Sequence, residues 1–229
     1  MKRRHARGLT LLEILVAIAV LTIMTVSVWG SFDTTLQGMR HAEGVQIRYA
    51  QVRNAMSRMS AELSMAYLSF NRPPDEERHY TLFDGREQFM ADSVTFSTFA
   101  HVRMRKDANE SDQSVVQYVL DKDPKDASRT HLYRRETRRL TGDRPEQLVE
   151  YVPAYIFCED IKSFDVKYWD VKKIDWVDEW RTTKQDMHPD RLPERVKITI
   201  TFIDKTTGKE VKYVSQTLLM MQEKLDFSK

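Results

Sequence analysis

The stretch RGLTLLEILVAIAVLTIMTVSVWG, Arg7 to Gly30, decides how the rest of this chain is read. Leu9 to Val28 is long enough, at 1.5 Å of rise per residue, to make a helix of about 30 Å, the thickness of a bilayer's hydrocarbon. Glu13 stands inside it. A carboxylate at mid-bilayer costs roughly 2.5–3.5 kcal/mol on insertion scales, so either the run is not in a membrane or the charge has a task. Lys2, Arg3, Arg4 and Arg7 precede the run with no acid among the first eight residues. Cations on that side predict a cytoplasmic N-terminus, with the body of the protein beyond the membrane. Trp29, at the far end, suits the interfacial belt where indoles collect. A cleaved secretory signal has a shorter apolar core followed by a small-residue site. Here the run is longer and no such site follows. The position that admits a cut without losing the helix lies before the run, after Gly8.

Those four cations also account for the charge balance. The chain has 36 basic and 34 acidic side chains, so 32 basic remain against 34 acidic once the first eight residues are set aside. The body has no basic field for nucleic acid. Cys158 is the only cysteine, which rules out an internal disulfide. Set among Tyr155, Ile156 and Phe157, it reads as a small buried hydrophobe. No nucleophile elbow, zinc-protease, phosphate-loop or dinucleotide motif occurs, and the six histidines are scattered. Asp107 to Gln113 has oxygen ligands in partial calcium-loop order, but Asp112 replaces the turn glycine and Tyr118 the bidentate glutamate. No catalytic residue, metal site, cofactor or small-molecule substrate is expected. Asp160, Asp165, Asp170, Asp175 and Asp178 read as solubilising charges between aromatics.

Beyond the apolar run, Val45, Tyr49, Val52, Met56, Met59, Leu63, Tyr67 and Phe70 recur in steps of three and four, the pattern of a helical stripe. Arg48, Arg53, Arg58 and Glu62 lie off it. Val45, Tyr49, Val52, Met56, Met59 and Leu63 read either as core or as the contact for a partner helix. Gly30, Gly38 and Gly44 loosen the link, and the helix is expected to run to Asn71-Arg72-Pro73-Pro74. The pattern then turns to alternating runs. Ser93–Phe99, Val115–Leu120, Thr130–Glu136, Ser163–Asp170, Arg195–Ile203 and Glu210–Met220 read as strands, the last two as a hairpin through Thr206-Thr207-Gly208-Lys209. A long N-terminal helix on an antiparallel, β-rich body is an α+β plan. Trp169, Trp176 and Trp180 are candidate partner anchors or core residues.

Gly8-Leu9-Thr10-Leu11-Leu12-Glu13 and the helix after it resemble the class III leader of type IV pilins and type II secretion pseudopilins. The resemblance implies a pilin-like fold, cleavage by a prepilin peptidase between Gly8 and Leu9, and N-methylation of Leu9. It also implies that Glu13 guides assembly by pairing with a neighbouring subunit's new amine. A second block, with Ile161, Phe164, Val166, Tyr168, Trp169, Asp170, Trp176, Trp180, Leu192, Pro193 and Val196, is similar to the C-terminal half of J-type minor pseudopilins. Tyr118, Leu120, Leu132, Arg134 and Arg135 match the same family's central strands.

That resemblance implies a non-enzymatic subunit of an inner-membrane secretion machine. It would cross the membrane once and place its C-terminal domain in the periplasm. It would join the I-, K- and H-type minor pseudopilins and the major pseudopilin in a pseudopilus tip. The expected organisation is a leader at 1–8, membrane helix at 9–29, periplasmic helix at 30–72 and β-rich domain at 73–229. The alternatives are a minor pilin of a type IV pilus or DNA-uptake machine, and a membrane-tethered periplasmic binding or enzymatic domain.

Overall fold

The computed structural model describes residues 10–71, 80–89, 91–102, 111–138, 140, 148, 151–205 and 207–227. Helix α1 runs unbroken over Leu11–Ser64. By contacts the chain divides into two units, Met1–Arg48 and Tyr49–Lys229.

In the first unit the helix begins with a long apolar run. Leu11 through Trp29 are all exposed, and this is the one helix among the described residues long and apolar enough to cross a membrane. Thr22, Thr25 and Ser27 each return their hydroxyl to the carbonyl four residues back, at 2.8 Å, so these three donors are satisfied within the helix.

Among the described residues the second unit contains ten strands: β1 (Phe83–Arg86), β2 (Ser93–Thr98), β3 (Ser114–Lys122), β4 (Thr130–Thr137), β5 (Tyr155–Cys158), β6 (Ile161–Asp170), β7 (Asp175–Val177), β8 (Trp180–Arg181), β9 (Arg195–Ile203) and β10 (Glu210–Leu218). They form a six-stranded sheet in the order β5-β4-β3-β2-β1-β8 and a four-stranded sheet in the order β10-β9-β6-β7. Every pairing is antiparallel. Asp92 stitches the sheets together, its buried carboxylate accepting the Val166 amide at 2.8 Å and the Gln88 amide at 3.0 Å. One core joins both sheets to the last turns of α1. Val52, Met56, Met59 and Leu63 from the helix meet Phe96, Tyr118, Phe164, Ile198, Ile200 and Phe202.

The alternating runs became strands within a few residues of their expected limits, and β9 and β10 form the expected hairpin. Gly208 takes φ of 66° there, and Asp204 and Lys209 close the turn at 2.9 Å; Thr206 is outside the described residues. The helix ends earlier than expected. Past Ser64 the backbone is claimed by other partners: Phe99 donates to Met65, Tyr67 to Ser97, and Leu225 to Leu68. These bonds outcompete further helical turns, so Tyr67 and Phe70 leave the stripe. Tyr67 is nevertheless fully buried, stacked on Phe99 at 4.1 Å.

Among the described glycines, Gly85 is the one whose missing Cβ has an evident packing reason. A Cβ built there would lie 2.0 Å from the Tyr168 hydroxyl, so the buried ring of Tyr168 occupies the space a side chain would need.

Candidate functional site

The sequence points to the helix N-terminus, and the structure gives Glu13 a local partner. Thr10 and Glu13 form a reciprocal cap. Glu13 Oε2 accepts the Thr10 amide at 2.8 Å and its hydroxyl at 3.0 Å, while Thr10 Oγ1 accepts the Glu13 amide at 3.3 Å. This is the Thr-x-x-Glu capping box, which satisfies amides the helix itself cannot. The carboxylate also sits where the helix dipole favours negative charge. Gly8 and Leu9 are outside the described residues.

The stripe resolves into two parts. Val52, Met56, Met59 and Leu63 are buried against the protein's own strands, which leaves them no surface to offer a partner helix; this corrects the partner-helix reading for those four. Tyr49 is half-buried, edge-on to Phe202 at 5.6 Å and to Tyr213 at 6.0 Å, and Val45 is half-buried. The apolar side chains left open lie earlier in the helix. Phe32, Met39 and Ile47 are each more than half exposed, with Leu36 partly so between them. Phe32, Leu36 and Met39 also recur in steps of four and three, a signal present in the sequence, on the face of the helix opposite Val45.

Glu62, expected off the stripe, is 4% exposed and holds the end of the helix to the six-stranded sheet. Its carboxylate takes Arg58 Nε at 2.9 Å, Arg134 Nη2 at 2.8 Å and the Tyr118 hydroxyl at 2.5 Å. Arg134 reaches on to Glu136 at 2.7 Å, and Glu136 to His101 at 2.8 Å. Burial works against the charge on Arg134, but Glu62 beside it raises its pKa above the ordinary value. Burial and the Glu62 charge push Tyr118 far above its own. The partners lie 56 and 72 residues away, so no local pattern could have revealed them.

The three tryptophans part company. Trp180 is fully buried, its indole donating to the Arg191 carbonyl at 2.8 Å. His188 stacks on one face at 3.8 Å, and the Arg191 guanidinium lies 4.7 Å from the ring centre. That corrects its reading as a partner anchor. Trp169 and Trp176 face each other across β6 and β7, edge to face at 5.4 Å, and stay partly exposed. Arg195 lies over Trp169 at 5.2 Å and Lys197 over Trp176 at 4.6 Å.

Asp170 was expected to be a solvated charge. It is buried, held by Arg191 at 2.6 Å, and that bond keeps its carboxyl well below the usual range. His188 is pushed down, first by burial and then by the Arg191 charge. The segment after β3 is ordered by a chain of side-chain bonds. The Asp160 amide donates to His131 Nδ1 at 3.0 Å, which leaves the proton on Nε2 for Asp123 at 3.2 Å. Asp160, bonded to Arg129 at 2.7 Å and Lys205 at 3.0 Å, is lowered to about 2.

Cys158 is buried. Among the described residues no group of acids, histidines or cysteine is arranged to hold a metal ion. Part of the Asp107–Gln113 loop is outside them.

Comparison with known proteins adds to this geometry. The family model "Type II secretion system (T2SS), protein J" matches residues 30–211. The "Prokaryotic N-terminal methylation motif" matches residues 3–29. Curated proteins give no significant match. A chain in the crystal structure of the GspK-GspI-GspJ complex from the enterotoxigenic Escherichia coli type 2 secretion system is similar at 12% identity. The match has a TM-score of 0.46 and covers 77% of this chain and 99% of that one.

Proposed function

Because the chain belongs to the type II secretion system protein J family, we propose that it is a minor pseudopilin acting by assembly and not by catalysis. In this reading a prepilin peptidase cuts between Gly8 and Leu9, and Leu9 is N-methylated. The helix over 9–29 then anchors the protein in the inner membrane, with the C-terminal domain in the periplasm. There it joins the I-, K- and H-type minor pseudopilins, and with them initiates the pseudopilus of the major pseudopilin through which folded proteins are exported.

The observation that carries this reading is the conjunction of the methylation motif with a capped, fully exposed apolar helix. The Thr10 amide survives a cut before Leu9, so the cap is compatible with the processed chain. The Glu13 carboxylate meets Thr10 through a single oxygen, Oε2, and the other remains for a neighbour's amine. The helix contact with other subunits is assigned to Phe32, Leu36, Met39 and Ile47, which share one face of the helix, opposite the face that carries Val45 and Tyr49. Trp169 and Trp176 remain as a second contact.

Intact mass and N-terminal sequencing test the processing step. Gly8→Leu should leave a full-length, unmethylated chain in the inner membrane and stop secretion. Normal cleavage of that variant would remove the leader assignment. Glu13→Val should be cleaved normally yet assemble poorly, and unaffected pseudopili would end the pairing role.

A further inference from the structure

A β-sheet edge is a row of unspent backbone donors and acceptors, and folded proteins usually shorten, bend or cover it. Three of the four edges here are treated that way. β5 has four residues and a register shift against β4, β8 has two residues, and β7 has three. β10 is the exception. It runs for nine residues, pairs with β9 without a shift, and contains no proline. Among the described residues its backbone groups find partners in β9 alone. The chain beyond it turns away, since Met220 bonds to Ser64 and Leu225 to Leu68.

Side chains along β10 divide cleanly. Ser215 and Thr217 face α1, bonding the hydroxyl and carbonyl of Ser60 at 3.2 Å each. Lys212, Val214, Gln216 and Leu218 point outward and are exposed. Leu218 is opposite Arg195 in register, and Arg195 covers Trp169, which pairs with Trp176. The outward face therefore carries an apolar and cationic row to the open edge. Glu210 is held by Lys162 and also feels the charge of Lys212, but Lys212 makes no ion pair within 4 Å among the described residues.

We propose that β10 is a docking edge for an extended strand of a partner protein, which adds to the four-stranded sheet by backbone hydrogen bonding. The incoming strand carries apolar residues at alternate positions, to lie beside Val214 and Leu218, and an acidic residue to meet Lys212. Backbone pairing supplies the affinity and these side chains the selection. This edge is separate from the helix contact proposed above and does not depend on it.

The test uses the full chain in detergent micelles, with a blocked peptide alternating valine and threonine around one glutamate as the probe. Amide hydrogen exchange should slow severalfold over Glu210–Leu218 as peptide is added, with exchange in β6 unchanged. Lys212→Glu should weaken that protection about fivefold, and a peptide with lysine in place of the glutamate should restore it. Val214→Lys, which replaces one of the two apolar contacts with a second cation beside Lys212, should abolish it while leaving the exchange of β6 as before. Absence of slowing at the highest soluble peptide concentration would overturn the proposal, as would protection indifferent to both substitutions. Concentration-dependent protection without peptide would assign the edge to a second copy of this chain and overturn it equally.

Discussion

The two parts of α1 are both rich in apolar residues and meet opposite fates. Over 49–64 the apolar side chains are buried among strands, and even a glutamate is enclosed. Over 11–47 apolar side chains recur as densely, yet almost all are exposed. Periodicity reports that a face will be covered; it does not report by what. One part of the helix is covered by its own chain, and the other is left exposed.

The largest effects should come from the covered part. Met59→Ala or Leu63→Ala removes a fully buried side chain and should cost about 2–5 kcal/mol in denaturant unfolding. Glu62→Ala leaves the Tyr118 hydroxyl buried without its acceptor and Arg134 with Glu136 alone, a loss of about 3–5 kcal/mol. Gly85→Ala should cost about 1–3 kcal/mol through the clash with Tyr168. If Met59→Ala were neutral, the helix would not be packed as described.

Acid sharpens the comparison more gently, through His188 and Asp160, two groups of the second unit that lie outside α1. His188 is lowered by burial, so its protonation favours the unfolded chain. Stability should therefore fall as pH drops through the unfolded histidine value, about 6.5. His188→Gln should flatten that slope. Asp160 is lowered to about 2, so the stability it contributes is present above its unfolded value, about 3.9, and is lost as pH falls toward 2. Thermal melts between pH 4 and 8 separate the two groups, since Asp160 is silent over most of that range.

The smallest stability effects belong to the exposed part. Phe32→Ala and Met39→Ala should change unfolding by no more than about 0.5 kcal/mol while weakening association with other subunits.

Much of this division was legible in the sequence. Gly8 to Glu13 announced the leader, and strict alternation in Arg195–Ile203 and Glu210–Leu218 announced a hairpin, because side-chain parity on a strand follows directly from its pleat. What stayed hidden was set by distant partners. Phe83–Arg86 became a strand only by lying between Ser93–Thr98 and Trp180–Arg181. Trp180 and Trp176 look alike in sequence, and their separation depends on Arg191 and His188 closing over one of them. The helix end moved because Ser97, Phe99 and Leu225 claimed its backbone.

The most direct test is co-purification of the full chain with the I-type minor pseudopilin from membranes, comparing Met39→Asp with wild type. Assembly through the open helix face predicts that wild type retains the partner and that Met39→Asp loses it while keeping its melting temperature and its cleavage after Gly8. Undiminished recovery of the partner with Met39→Asp would contradict the account.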